Sequence, residues 1–97
     1  MPSEGETTTV SKAVDVCNAR GLHARASAKF VKLAAQYDAE VTVSKDGQTV
    51  DAQSIMGLMM LAAGPGCAIE IAADGPEAAQ AVDALVELVS GRFDEDA

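Results

Sequence analysis

The sequence predicts one α+β domain, an open-faced two-layer sandwich in which three helices cover one face of a four-stranded, mostly antiparallel sheet. A chain of 97 residues is long enough for one compact core and too short for two. Strand-like and helix-like segments follow one another in the order β-α-β-β-α-β-α. Hydrophobic residues make up 48% of the chain but aromatic residues only 3%, which predicts a core of aliphatic side chains.

The first strand and the first helix are predicted from a change of period. Three valines share one face of the strand: Val10, Val14 and Val16. A loop of turn-forming residues follows at 18–21. From Ala24 onward, apolar and aromatic side chains recur at helical spacing: Ala26, Phe30, Leu33, Ala34 and Tyr37. His23 is therefore expected at or beside the N-cap of this helix.

The middle of the chain predicts a hairpin and a short helix. Residues 40–44 and 48–52 are β-prone, and Asp46-Gly47 between them is typical of a two-residue hairpin turn. Ser54 precedes the apolar stretch 55–61 and is expected to cap a short helix there.

The last two elements are a strand and a helix. Residues 68–72 predict the fourth strand, with Ile69 and Ile71 facing inward. The final helix is predicted to start at residues 74–76 and to stop at Gly91. Its buried stripe consists of Ala78, Val82, Leu85 and Val89.

The two ends of the chain are polar. Residues 1–9 are expected to form a disordered leader, residues 10–93 the folded domain and residues 94–97 an acidic tail. The leader has no basic segment before an apolar one, and no apolar run reaches the roughly 18 residues that span a bilayer. We therefore expect a cytoplasmic protein, and we expect it to be a monomer.

Charge and cysteine content exclude several classes of function. A net charge of −8 disfavours nucleic acids and membrane surfaces as partners, and few aromatic residues are available for base stacking. Cys17 and Cys67 lie far apart, with neither a C-x-x-C pair nor a histidine at metal-ligand spacing. We expect two buried free thiols, no metal site and no cofactor.

His23 is the only histidine, and it lies in Gly21-Leu22-His23-Ala24-Arg25 at a predicted helix start. The first N–H groups of a helix lack partners and carry the positive end of its dipole, so a phosphoryl group is favoured there. The guanidinium of Arg25 could add a fixed charge and a planar set of donors. A lone histidine is more often a surface or capping residue, so this pattern alone leaves both interpretations open.

Three features at this spacing resemble the HPr family, the histidine phosphocarriers of the bacterial phosphoenolpyruvate-dependent phosphotransferase system. They are the motif at 21–25, Ser54 at the second helix start, and the alanine-rich third helix after residues 74–76. The resemblance covers about residues 10–93. Within the family the chain looks most like NPr, the nitrogen-related paralogue, in segments 38–41, 58–61 and 90–96.

The resemblance implies a carrier rather than an enzyme. His23 would accept a phosphoryl group on Nδ1 from enzyme I and pass it to an EIIA-type protein in a nitrogen-related branch. The backbone N–H groups of Ala24 and Arg25, with the Arg25 guanidinium, would balance the phosphoryl charge. The chemistry agrees, because a neutral imidazole nitrogen is a competent nucleophile near neutral pH.

The second helix carries two further expectations. The resemblance makes Ser54 a candidate for regulatory phosphorylation by an HPr kinase/phosphorylase, and the alternative is a plain N-cap serine. Leu58 and Leu61, with Ile55, are expected to form the inward face, which leaves Met56 and Met59 exposed. The residues assigned to partner docking are Ile55, Met56 and Met59.

Two positions depart from the pattern of most family members. Ala26 follows the active-site arginine where proline is usual, so the helix start lacks proline's fixed φ. Gly57 stands where a lysine is common in the second helix.

Other functions remain compatible with parts of the sequence. A sugar-branch HPr, or a regulator that binds partners according to its phosphorylation state, would share the fold. An acyl-carrier-like module would use Ser54, but such carriers are all-helical and have an Asp-Ser-Leu-type context where this chain has Gln53-Ser54-Ile55. A small acylphosphatase-like hydrolase needs a glycine-rich anion loop, which residues 18–21 match only loosely.

Overall fold

The computed structural model describes residues 9–96. The elements are β1 (Thr9–Asp15), α1 (Ala24–Ala34), β2 (Glu40–Lys45), β3 (Gln48–Asp51), α2 (Ile55–Met60), β4 (Ala68–Asp74), α3 (Ala78–Ser90) and a 3-10 turn (Arg92–Asp94). The predicted order of strands and helices is confirmed. The expected leader lies outside the described residues except for its last member, Thr9, which is the first residue of β1.

The sheet has the strand order β1-β4-β2-β3, and each neighbouring pair runs antiparallel. In the centre, Ile71 of β4 pairs with Lys12 of β1 on one side and with Val43 of β2 on the other. Beyond the end of β1, Val16 exchanges backbone hydrogen bonds of 2.8 Å with Gly66 and Cys67. The topology therefore brings the β1–α1 loop beside the segment that follows α2.

The core lies between one face of the sheet and the helices. In β4 the buried Ile69, Ile71 and Ala73 alternate with the exposed Ala68 and Glu70, as expected for a strand with one covered face. The predicted stripe of α3 is also confirmed, since the buried residues of this helix are Ala78, Ala81, Val82, Leu85 and Val89. The helix itself begins at Ala78, two residues after the predicted start, with Glu77 as N-cap.

The hairpin turn follows from the residues at its tip. Asp46 and Gly47 have φ values of 52° and 83°, and Lys45 pairs directly with Gln48. Two successive positive φ values are the mark of a type I′ turn, for which Asp-Gly is a preferred sequence. The predicted hairpin is confirmed.

The prediction of two buried thiols is wrong. Cys17 is exposed and Cys67 is half-buried. Val16 takes the core position beyond the end of β1, where it is fully buried, so the next residue in this extended segment points outward. None of the helices within residues 9–96 has the length and apolar character needed to cross a membrane.

Candidate functional site

Gly21 determines how the chain enters α1. Its φ is +62°, and an added Cβ would lie 2.2 Å from the carbonyl oxygen of Ala63. The N–H of Leu22 donates a 3.0 Å hydrogen bond to the same oxygen. Only glycine satisfies both the left-handed conformation and the close approach. The start of α1 is therefore held against the segment that follows α2.

His23 is the N-cap of α1, as predicted, with extended backbone at φ −74° and ψ 178°. Its carbonyl accepts the 2.8 Å hydrogen bond from the N–H of Ser27 that begins the helix. Its side chain makes no capping hydrogen bond. The N–H groups of Ala24 and Arg25, in the first turn, therefore receive no cap from the imidazole.

The imidazole of His23 instead contacts Glu95. Its Nε2 is hydrogen-bonded to Oε2 of Glu95, and the two side chains are only 14% and 17% exposed. The other carboxylate oxygen, Oε1, accepts a 3.0 Å hydrogen bond from Nδ2 of Asn18. Asn18 is fully buried and also donates to the carbonyl of Gly21 at 2.9 Å. The two oxygens of Glu95 thus join the histidine to a side chain of the core.

A left-handed turn brings Glu95 to this position. Arg92, Phe93 and Asp94 have φ values of 60°, 54° and 63°. The ring of Phe93 is fully buried, and its carbonyl accepts a 2.6 Å hydrogen bond from Nζ of Lys29 in α1. The segment expected to be only an acidic tail therefore packs back onto the start of α1, and sequence reasoning missed Glu95 as a site residue.

A shallow pocket of about 430 Å³ opens beside His23. It is lined by Ala19, Arg20, His23, Arg25, Lys29, Asp94, Glu95 and Asp96. Basic side chains from the loop and α1 thus face acidic side chains of the C-terminal segment. The hydrogen bond from Asn18 lowers the pKa of the Glu95 carboxyl, as do the hydrogen bond to His23 and the charges of His23 and Arg20, while burial acts in the opposite direction.

Helix α2 presents an exposed apolar surface, here called the methionine patch: Ile55, Met56, Met59 and Met60. Met56 and Met59 are exposed, as predicted, at 67% and 38%. Met60 was not assigned, yet it is 66% exposed. The expectation that Ile55 faces inward is wrong, since it is 39% exposed. The buried side of this six-residue helix is provided by Leu58, and the C-cap residue Leu61 continues it.

Ser54 caps α2 as predicted, because its Oγ accepts a 2.9 Å hydrogen bond from the N–H of Gly57. An added Cβ at Gly57 would lie 3.2 Å from the same Oγ, so the glycine leaves room for the cap. At the start of α1, Ala26 is fully buried within an unbroken helix. Among residues 9–96 no group of three or more His, Cys, Asp or Glu side chains is placed to hold a metal ion.

Fold and site together define a small α+β domain in which a histidine forms the N-cap of a helix, beside a pocket lined with charged side chains. The family model described as "PTS HPr component phosphorylation site" matches residues 10–91. The phosphocarrier protein HPr of Cupriavidus necator is 50% identical over 80 residues, which cover 82% of this chain and 90% of the relative. The phosphocarrier protein NPr of Shewanella violacea is 41% identical over 88 residues, covering 91% and 97%.

Solved structures agree with this assignment. HPr of Thermoanaerobacter tengcongensis superimposes with a TM-score of 0.86 at 35% identity, covering 91% of this chain and 99% of the other. HPr of Bacillus anthracis gives 0.81 at 44% identity, covering 84% and 98%. The chain belongs to the HPr family, and it is a phosphocarrier of the phosphotransferase system rather than an enzyme.

Proposed function

We propose that His23 is the phosphoryl acceptor of this carrier and that Nδ1 is the accepting atom. The observation that carries the proposal is the position of the imidazole, at the N-cap of α1 with Nε2 bonded to Glu95. Because Nε2 is engaged, Nδ1 is the ring nitrogen left to act as nucleophile.

The surroundings of His23 suit a transferable phosphoryl group. The N–H groups of Ala24 and Arg25 lie at the positive end of the α1 dipole, and Arg25 lines the pocket beside His23. These groups balance the negative charge by position and electrostatics, which is how proteins assist phosphoryl transfer. A nitrogen–phosphorus bond keeps the group available for the next acceptor.

The partners in this proposal are enzyme I as donor and an EIIA-type protein as acceptor, in a nitrogen-related branch. Membership of the HPr family supports the donor, and similarity to an NPr supports the branch. Ile55, Met56 and Met59 of the methionine patch, which begins directly after Ser54, provide the docking surface. Flexible methionine side chains suit a surface that binds several partners in turn.

Ser54 is proposed as a second, regulatory phosphorylation site for an HPr kinase/phosphorylase. It immediately precedes the methionine patch, and its hydroxyl is half-buried at the helix N-cap. A phosphoserine adds about two negative charges, which at this position would repel acidic partner surfaces.

The acceptor is tested by incubating the protein with enzyme I and phosphoenolpyruvate. We expect one acid-labile phosphate per chain, absent from His23→Ala and formed more slowly, by about tenfold, in Arg25→Lys, because lysine lacks the planar fork of donors. Labelling that persists in His23→Ala would refute the assignment of the acceptor. An unchanged rate in Arg25→Lys would remove Arg25 from the mechanism.

The branch is tested with the phosphorylated carrier. Transfer to a nitrogen-related EIIA is expected to be faster than transfer to a sugar-specific EIIA at equal concentrations. The reverse preference would favour the sugar-branch alternative while leaving the role of His23 intact.

A further inference from the structure

The carboxylate of Glu95 makes two side-chain contacts, one with Asn18 and one with His23. Oε1 accepts from the buried Asn18, and Oε2 is bonded to Nε2 of His23. An ionised carboxylate can only accept hydrogen bonds, so the proton of this second contact belongs to Nε2. The pKa of Glu95 is lowered chiefly by the bond from Asn18, which favours the ionised form.

A histidine used as a nucleophile at one nitrogen needs its proton at the other. A carboxylate that accepts from one ring nitrogen both orients the ring and determines which tautomer is present. With Nε2 protonated, Nδ1 carries the lone pair.

We propose that Glu95 is a positioning residue for phosphoryl transfer, holding His23 as the Nε2–H tautomer with Nδ1 directed toward the pocket. This inference rests on the proposed role of His23. In the transfer step the Nδ1 lone pair forms the new N–P bond while the donor's phosphoramidate N–P bond breaks and its electron pair stays on the donor nitrogen. The His23 ring keeps the Nε2 proton and becomes cationic, and Glu95 faces that positive charge.

The placement of Glu95 is supported from both sides. Phe93 is anchored in the core two residues earlier, and its carbonyl is held by Lys29 of α1. Asn18 is fully buried and bonds both Gly21 and Glu95. Asp96 provides a matched control, because it lines the same pocket and has the same charge, but its side chain makes no hydrogen bond or ion pair with His23.

The experiment compares wild type with Glu95→Ala, Glu95→Gln and Asp96→Ala. NMR of ¹⁵N-labelled protein reports the Nε2–H proton, which should be protected from water exchange in wild type and Asp96→Ala and lost in Glu95→Ala. The rate constant of single-turnover labelling by phospho-enzyme I, at saturating donor, should fall about tenfold in Glu95→Ala. The donor concentration that gives half of the maximal rate should not change, because the methionine patch is intact. Glu95→Gln keeps an acceptor oxygen and should restore part of both signals.

Equal NMR signals and equal rates in Glu95→Ala and Asp96→Ala would overturn the inference, as would faster labelling of Glu95→Ala. These outcomes are separate from a failure of the proposed function, which would appear as absence of label on His23 in the wild-type protein. The NMR measurement needs no phosphoryl donor, so it tests the contact even in that case.

Discussion

Helices α1 and α2 begin in opposite ways. At α2 the side chain of Ser54 accepts from the N–H of Gly57, so the helix is capped by the side chain of its own N-cap residue. At α1 the side chain of His23 makes no cap and is bonded to Glu95 instead. The start of α2 is thus closed, meaning that its N-cap side chain accepts from a first-turn N–H group. The start of α1 is open, meaning that its N-cap side chain does not, and it lies beside a pocket lined with charged groups.

The difference reflects what each helix can tolerate. Replacing a capping side chain by one that does not cap costs about 1 kcal/mol of stability. Helix α1 has 11 residues and buries Ala26, Phe30 and Ala34 in the core, so packing can offset an open end. Helix α2 has six residues and buries only Leu58. The open start thus belongs to α1, the helix that buries more side chains in the core. Its uncapped N–H groups are free to donate hydrogen bonds to an anion.

Gly21→Ala should have the largest effect, because it breaks the contact that holds the open helix start in place. The new Cβ would meet the Ala63 oxygen at 2.2 Å in a left-handed conformation. We expect a loss of about 3 kcal/mol in the free energy of unfolding, from strain and from displacement of the bond between Leu22 and Ala63. Urea denaturation measures this loss.

Gly66→Ala is the control for that substitution. Gly66 also has a positive φ, of +87°, but nothing lies within 4 Å of an added Cβ. It should lose only the roughly 1 kcal/mol due to backbone conformation. Equal losses in the two variants would show that the approach to Ala63 is unimportant.

Ser54→Ala should open the closed helix start and cost about 1 kcal/mol in the free energy of unfolding. Labelling of His23 should proceed at the wild-type rate, because the cap belongs to α2 alone. Ser11→Ala, at an exposed position of β1, should change stability by less than about 0.5 kcal/mol. A loss no greater than that of Ser11→Ala would mean that the cap does not stabilise α2.

His23→Ser should do the reverse and close the open start. Compared with His23→Ala, which equally lacks the contact with Glu95, the serine variant should be more stable by about 0.5–1 kcal/mol, and neither variant should be labelled. The difference between the unfolding free energies of the two variants, measured by urea denaturation, reports the contribution of the serine cap alone. Identical stabilities would indicate that the start of α1 cannot accept a side-chain cap.

The smallest expected effect is the pH dependence of stability that arises from the carboxyl of Glu95, the hydrogen-bond partner of His23. Because the pKa of Glu95 is lower in the folded protein, its ionised form adds stability above the ordinary carboxyl range, and this contribution disappears as pH falls through the folded-state value. The other titratable and charged side chains that line the same pocket belong to Arg20, His23, Arg25, Lys29, Asp94 and Asp96. The difference in unfolding free energy between wild type and Glu95→Gln should therefore narrow in acid. A constant difference across the acid range would contradict this.

Local sequence patterns were sufficient to predict much of the fold and, within the site, the position of His23 at the helix start. The change to helical spacing after His23 predicted the N-cap, and Ser54 before an apolar run predicted the other cap. Both predictions depend on contacts within a few residues, which is where sequence patterns are informative. The Asp46-Gly47 turn was predicted for the same reason.

The remaining features depend on long-range packing. Glu95 lies 72 residues from His23, and it reaches the site through a left-handed turn at Arg92, Phe93 and Asp94. Of these three residue types only aspartate is enriched at positive φ, so the sequence does not announce the turn. Ile55 was placed on the inward face from its spacing, but Leu58 and Leu61 already fill the space that so short a helix covers. No local pattern distinguishes these outcomes.

The separation of His23 and Glu95 has a consequence for the order of assembly. Among the strands within residues 9–96, the one that leads to the histidine pairs with β4 alone, so β1 has no partner there until most of the domain has been synthesised. Non-local pairing of this kind forms late and slowly compared with helices and hairpins. A nascent chain emerging from the ribosome therefore exposes the histidine long before its carboxylate partner exists, and the contact between His23 and Glu95 forms only when the two ends of the domain have met.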